Sequence, residues 1–130
     1  MPSIHLFFKQ YWKVITWCVV IFVFSSLPTL PEVGFIWWDF VLKKSAHVLE
    51  YTVLFLLTYK AVGQPGNWRT ALLFSLAYAL SDEYHQSFVA GRTAKLTDIG
   101  FDALGMYLGY LRLKNKTQNL YPERSRRAKP

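Results

Sequence analysis

Residues 81–109 read SDEYHQSFVAGRTAKLTDIGFDALGMYLG, and the interpretation of the whole chain starts from this stretch. It contains four of the chain's eight acidic residues and four of its seven glycines, whereas most of the surrounding sequence is aliphatic or aromatic. A buried charge without a partner is costly in an apolar environment. The polar stretch therefore predicts internal pairing, in a fold that brings its side chains together.

Four apolar segments surround and include this stretch. The first covers residues 11–31, in which Lys13 is the single charged residue and prolines mark the end. About 20 helical residues, each rising about 1.5 Å, can cross the hydrocarbon core of a membrane. The other segments are residues 42–62, 69–84 and 97–113. With 130 residues, the sequence predicts one all-α domain, an integral membrane bundle of four transmembrane helices.

Two alternatives to four membrane spans stay open. A soluble helical bundle also contains apolar runs of 10–14 residues, but its helices carry a polar outward stripe, which residues 53–58 and 71–77 lack. A signal peptide also begins with a basic end and an apolar run, although no small-residue cleavage site follows here. Residues 34–40, with two adjacent tryptophans, predict a short segment in the membrane interface, with a buried loop as the alternative.

The distribution of basic residues predicts the orientation. With four spans, eleven of the 15 Lys and Arg residues share the side of the N-terminus, the second loop and the tail, against four on the other side. The positive-inside rule then places both termini in the cytoplasm and residues 81–98 at the outer face. The net charge of +7 comes largely from the tail, which indicates anionic lipid rather than nucleic acid. We expect residues 1–113 to form the membrane domain and residues 114–130 a flexible cytoplasmic tail.

Polar side chains share helical faces near the outer ends of three predicted helices. Lys44, His47 and Tyr51 step by three and four residues along the second segment, with Glu50 beside them. We define the polar cluster as these four residues together with seven from the third and fourth segments and the loop between them: Asp82, Glu83, His85, Gln86, Arg92, Asp98 and Asp102. Gly105 and Gly109 continue the face of Asp98 and predict close packing against another helix. Such polar faces also serve merely to hold helices together, which is the structural alternative to a binding site.

The polar cluster permits several chemistries. Histidine and carboxylates could hold a divalent metal, but the sequence has no established zinc spacing, so we predict no metal and name no cofactor. A histidine paired with a carboxylate could act as a general acid or base. No serine or cysteine has the context of a nucleophile. Arg92, with nearby lysines, could hold a phosphate or carboxylate, or could instead form an ion pair with Asp98 or Glu83.

The pairing of KKSAHVLEY, residues 43–51, with residues 81–109 resembles the VanZ-like family of small bacterial membrane proteins. The first motif resembles the family's K-x-x-H-x-x-E-Y. The second resembles its D-E-x-x-Q-x-F-x-x-x-R signature, followed by an aspartate and a glycine-rich helix. In this chain the matching positions are Lys44, His47, Glu50, Tyr51, Asp82, Glu83, Gln86, Phe88, Arg92, Asp98, Asp102, Gly105 and Gly109. Ala90 and Asp102 depart from the family, where many relatives have Pro and longer relatives often have Asn.

The resemblance implies a multi-pass protein of the bacterial cytoplasmic membrane, and the family's namesake is linked to low-level resistance to the glycopeptide teicoplanin. It supplies no settled biochemical activity. We expect the polar cluster to bind or modify a lipid, an anionic lipid or a lipid-linked precursor of the cell envelope, with an effect on glycopeptide susceptibility. The alternatives are an intramembrane, metal-assisted enzyme acting on a lipid-linked substrate, and a small transporter. Whether the protein is an enzyme is left open by the sequence.

Overall fold

The computed structural model describes residues 4–28, 37–63 and 67–120. These residues form four helices: α1 (Ile4–Ser26), α2 (Trp37–Ala61), α3 (Trp68–Gln86) and α4 (Leu96–Leu120). No strand occurs in these ranges, so the all-α prediction is confirmed for the described part of the chain. Positive φ angles at Gly63 and Gly91 mark the ends of the turns that follow α2 and α3.

The helix boundaries differ from the predicted segments in three places. Helix α1 begins at Ile4, before the first apolar segment, and α4 continues past residue 113 to Leu120. Residues 37–40 form the first turn of α2 rather than a separate interfacial segment, while residues 34–36 lie outside the described part. Asp39 favours this early start because a carboxylate stabilises a helix N-terminus, and its Oδ2 lies 2.6 Å from Lys43 Nζ one turn later.

Helix α2 is the central element of the bundle and packs against all three other helices. Its side chains Tyr51, Leu54 and Phe55 are completely or almost completely buried. Ile21 of α1 and Met106 of α4 complete the apolar core, together with small alanines on α3. Because successive helices alternate in direction, α2 and α4 run parallel and begin at the same end of the bundle, where α1 and α3 end.

The two glycines on α4 bring that helix into backbone contact with α2. A Cβ atom added at Gly105 would collide with the carbonyl oxygen of Val48, and one added at Gly109 would lie 2.7 Å from Phe55 Cδ1. The close approach places the Thr52 hydroxyl 2.8 Å from the carbonyl oxygen of Gly105 and 2.7 Å from that of Val48, so its one proton is shared between the two acceptors. The predicted packing role of both glycines is therefore confirmed.

The distribution of polarity is inverted relative to a water-soluble protein. Large apolar side chains are exposed on all four helices, among them Val19, Leu49, Leu73 and Leu104. The buried residues in the described part of the chain include nine polar or charged ones: Ser25, His47, Thr58, Ser75, Asp82, Glu83, Gln86, Asp98 and Asp102. Water-soluble proteins rarely bury ionisable groups while exposing so much apolar surface. This pattern agrees with a bundle that is surrounded by lipid.

By length and apolar composition, α1 is the one described helix that meets the criterion for crossing a membrane. It lies near the N-terminus, where a signal sequence would meet the same criterion. The composition of α1 therefore indicates a membrane protein. That all four helices span the membrane is a proposal, which depends on the exposed apolar surface described above.

Candidate functional site

The buried ionisable residues gather at the end of the bundle where α2 and α4 begin. Two side-chain pairs connect these parallel helices, and each pair is called a rung below. The ammonium group of Lys44 donates a hydrogen bond to Asp98 Oδ1, and His47 Nδ1 lies 2.8 Å from Asp102 Oδ1. Lys44 and His47 are three residues apart on α2, and Asp98 and Asp102 are four residues apart on α4. Each helix therefore presents its two residues on one face, and the two faces meet. The structure thus brings together four members of the predicted polar cluster as two hydrogen-bonded pairs.

The two rungs differ in environment. The side chain of Asp102 is 1% exposed, so the His47 rung is inside the bundle, whereas the Lys44 side chain is 16% exposed. The ammonium group of Lys44 also lies over the rings of Phe40 and Phe101, with Nζ 5.6 and 5.4 Å from their centroids. These aromatic faces add a favourable electrostatic contact to the pair with Asp98.

Helix α3 contributes two further buried carboxylates. The side-chain amide of Gln86 donates a 2.9 Å hydrogen bond to Asp82 Oδ2, one helical turn away. Glu83 Oε2 accepts a 2.9 Å bond from the backbone N–H of Lys95, which fixes the end of α3 to the start of α4. The other oxygen, Glu83 Oε1, is buried and has no hydrogen-bond partner. Asp82 and Glu83 therefore lie in the cluster without a cation bonded to either among the described residues.

Glu50 and Tyr51 complete the cluster on α2. The carboxylate of Glu50 is half-buried and interacts electrostatically with His47, Asp82 and Asp102. In the described part of the chain, no hydrogen bond to its side chain is formed, although its backbone carbonyl accepts one of 2.9 Å from Trp17 Nε1. Tyr51 is completely buried, and its hydroxyl has no hydrogen-bond partner among the described residues.

Arg92 has a different partner from either one predicted. Its Nε donates to the carbonyl oxygen of Leu27 at 3.1 Å and its Nη2 donates to that of Phe24 at 2.8 Å. The last carbonyls of a helix lack intrahelical donors and carry partial negative charge, so a guanidinium is well suited to them. The predicted ion pair of Arg92 with Asp98 or Glu83 is wrong. Lys44 and His47, rather than Arg92, pair with Asp98 and Asp102.

His85 likewise faces α1 rather than the other members of the cluster. Its Nε2 lies 2.9 Å from Ser26 Oγ, and its ring packs on Phe22 with centroids 4.5 Å apart. The Ser26 hydroxyl is also 2.6 Å from the carbonyl oxygen of Phe22, which can only accept. The hydroxyl proton therefore belongs to that carbonyl and His85 Nε2–H donates to Ser26. This pair joins two helix ends and is not arranged as a nucleophile with its base.

A sequence model of the VanZ/LLP1 family matches residues 3–116. The chain belongs to this family. No curated protein and no solved structure matches the chain. The family resemblance rests on two motifs, and the structure shows why they occur together. The motif that contains Lys44 and His47 supplies one side of both rungs, and the motif that contains Asp98 and Asp102 supplies the other.

The VanZ-like cluster is rich in carboxylates, which are possible ligands of a metal ion. Within residues 4–28, 37–63 and 67–120, no three His, Cys, Asp or Glu side chains are arranged to hold a metal ion. Asp98 and Asp102 are each engaged by a nitrogen from α2 instead. The metal-assisted alternative therefore gains no support from the arrangement of donors.

A groove between α2 and α4 adjoins the cluster, and no sequence motif indicated it. Its volume is about 530 Å³, and it runs parallel to the two helices on the outer surface of the bundle. Lys44 and Ser45 lie at its polar end, and the rest of its wall is predominantly apolar: Phe40, Val41, Val48, Leu49, Thr52, Phe101, Leu104 and Leu108. The sequence signal that could have indicated this groove is the series of apolar residues at helical spacing beside Gly105 and Gly109.

Proposed function

We propose that this VanZ-like protein spans the bacterial cytoplasmic membrane and binds a lipid or lipid-linked component of the cell envelope at its outer end. The observation that carries the proposal is the groove between α2 and α4, which is apolar along its length and has a lysine at one end. A lipid has the same distribution of polarity. Its chain would lie against Val48, Leu49, Leu104 and Leu108, and its headgroup would reach the polar cluster.

The inverted surface supports four membrane-spanning helices. Helices α2, α3 and α4 keep their ionisable residues inside the bundle or at its ends, while their outer faces expose leucine and phenylalanine. A charged residue in a membrane segment is tolerated when it faces the bundle interior and has a partner. The rungs formed by Lys44 with Asp98 and by His47 with Asp102 provide such partners.

We expect the loop between α3 and α4 to lie outside the cell and the end of α4 to lie in the cytoplasm. In a Cys18→Ala background, a cysteine at the exposed position Thr93 should react with a membrane-impermeant maleimide in intact cells. A cysteine at the exposed position Asn119 should react only after lysis. The positive-inside rule is the physical reason, because eleven of the basic residues lie on the side of Asn119. The opposite labelling pattern would reverse the orientation.

Filling the groove is expected to reduce lipid binding. Leu104, 45% exposed, lines the groove, and Leu104→Trp places an indole in the space that a lipid chain would occupy. We expect the amount of lipid retained by the purified protein to fall about tenfold, a loss of about 1.4 kcal/mol in binding free energy. Native mass spectrometry of the protein released from nanodiscs measures this retention.

The matched control is Leu80→Trp, at a position on α3 that is 51% exposed and outside the groove. Equal lipid retention by the two variants would contradict the proposal.

Cells that express the wild type or Leu104→Trp should differ in susceptibility to teicoplanin if binding affects the envelope. Conversion of the retained lipid into a product of different mass would instead support the enzymatic alternative.

A further inference from the structure

The cluster contains more carboxyl groups than cations that pair with them. Asp98 and Asp102 are paired with Lys44 and His47, but three more carboxylates have no cation within ion-pair distance among the described residues. These are Glu50, Asp82 and Glu83. They lie close enough to interact: Glu50 interacts electrostatically with Asp82 and Asp102, and Glu83 interacts with Asp98 and Asp102. Arg92, which also interacts electrostatically with Glu50, is hydrogen-bonded to the end of α1.

Two buried polar groups in the same region also lack partners. Glu83 is 6% exposed and its Oε1 accepts no hydrogen bond, and Tyr51 is 0% exposed with an unpartnered hydroxyl. Tyr51 interacts electrostatically with Glu50, Asp82 and Asp102. Buried polar atoms in proteins are nearly always hydrogen-bonded, to the protein, to water or to a ligand. An excess of carboxylates with open acceptors calls for a cation that carries N–H donors.

Resting on the lipid-binding function proposed above, we propose that the cluster recognises the primary ammonium group of a phospholipid headgroup, with the lipid chain in the α2–α4 groove. An ammonium group directs three N–H donors to separate acceptors, which suits carboxylates that do not converge on one point. A metal ion needs convergent ligands, which the described residues lack. A purely anionic headgroup would be repelled by the unpaired carboxylates.

The polar end of the groove also suits the phosphate of such a headgroup. Lys44 lines the groove, and of its three ammonium protons one is donated to Asp98 among the described residues. The remaining donors are available to a phosphate oxygen while the rung to Asp98 stays intact. An ethanolamine headgroup carries a phosphate and an ammonium two carbons apart, so its phosphate would meet Lys44 at the end of the groove and its ammonium would extend toward the carboxylates of the cluster.

The test uses the full-length protein in nanodiscs that contain equal amounts of phosphatidylethanolamine, phosphatidylcholine and phosphatidylglycerol with identical acyl chains. Native mass spectrometry then identifies the lipid that each released protein retains. We expect phosphatidylethanolamine to be enriched about tenfold over both others, since a hydrogen bond to a charged group contributes at least this factor. Phosphatidylcholine has the same charge but no N–H donor, so equal retention of these two lipids would overturn the proposal. Preferential retention of phosphatidylglycerol would also overturn it.

Two variants on different helices remove one negative charge each while keeping the side-chain shape: Glu50→Gln on α2 and Asp82→Asn on α3. Both should reduce the preference for phosphatidylethanolamine to about twofold or less. Asp39→Asn is the matched control, because Asp39 is exposed, is paired with Lys43 and lies outside the cluster. An unchanged preference in both cluster variants would overturn the proposal. Lipid retention without any amine preference would overturn this inference alone, whereas retention of no lipid at all would overturn the proposed function.

Discussion

Gly105→Ala is expected to lower the free energy of unfolding by about 3 kcal/mol, the upper end of the usual cost of overpacking a core. The added Cβ atom would collide with the carbonyl oxygen of Val48 and would lie 3.1 Å from the backbone nitrogen of Thr52. Backbone atoms inside a helix cannot rotate aside as a flexible side chain does, so α2 and α4 must separate. The separation would also stretch the hydrogen bond from Thr52 to Gly105 and both rungs of the cluster.

The control for this prediction is Gly100→Ala on the same helix. A Cβ atom at Gly100 would meet nothing within 4 Å. This variant should be neutral or more stable by about 0.5–1 kcal/mol, because alanine is the better helix former. Unfolding of both purified variants in mixed dodecyl maltoside and sodium dodecyl sulfate, followed by circular dichroism, measures the difference. Equal stability of the two variants would show that the contact between α2 and α4 is looser than the structure indicates.

His47→Ala is expected to destabilise the protein by about 3–5 kcal/mol, the cost of removing one partner of a buried ion pair. The variant leaves the carboxylate of Asp102 inside the bundle, 1% exposed and without its nitrogen partner at 2.8 Å. Adding Asp102→Asn to His47→Ala should recover a large part of the loss, because the amide carries no charge. The same unfolding measurement, made on both single variants and the double variant, gives the coupling between the two positions.

Asp39→Asn serves as the exposed counterpart in this series. The Asp39 and Lys43 side chains are 48% and 43% exposed, so removing their pairing should change the stability by less than about 1 kcal/mol. If His47→Ala lowered the stability as little as this control does, the pair of His47 and Asp102 would be accessible to water and Asp102 would not be buried. If the double variant were as unstable as His47→Ala, the loss would come from packing of the imidazole rather than from charge.

The helices and their polar faces could be predicted because they follow from spacing along single segments. Lys44 and His47 on one helix, and Asp98 and Asp102 on another, occupy facing stripes whenever the two helices run side by side. Gly105 and Gly109 also indicated that α4 packs closely against another helix. These features depend on local periodicity, which is present in the sequence itself.

The partners of Arg92 and His85 could not be predicted in the same way. Arg92 binds carbonyl groups 65 and 68 residues earlier in the chain, and a carbonyl group gives no residue-specific signal. His85 meets Ser26 across 59 residues because α1 and α3 end at the same level. The groove was also missed, since its volume depends on the distance between α2 and α4 rather than on any one residue. In each case the tertiary arrangement decides the contact.

The rung between Lys44 and Asp98 has a consequence for the way the protein is made. The two residues are 54 positions apart, so at about 5–20 residues per second the ribosome adds Asp98 roughly 3–10 s after Lys44. During this interval Lys44 and His47 on the second helix have no carboxylate partners, and the carbonyl groups at the end of α1 have not yet met Arg92. Both side-chain pairs and the contact between Arg92 and α1 can therefore form only after most of the chain has been made, so the bundle closes late.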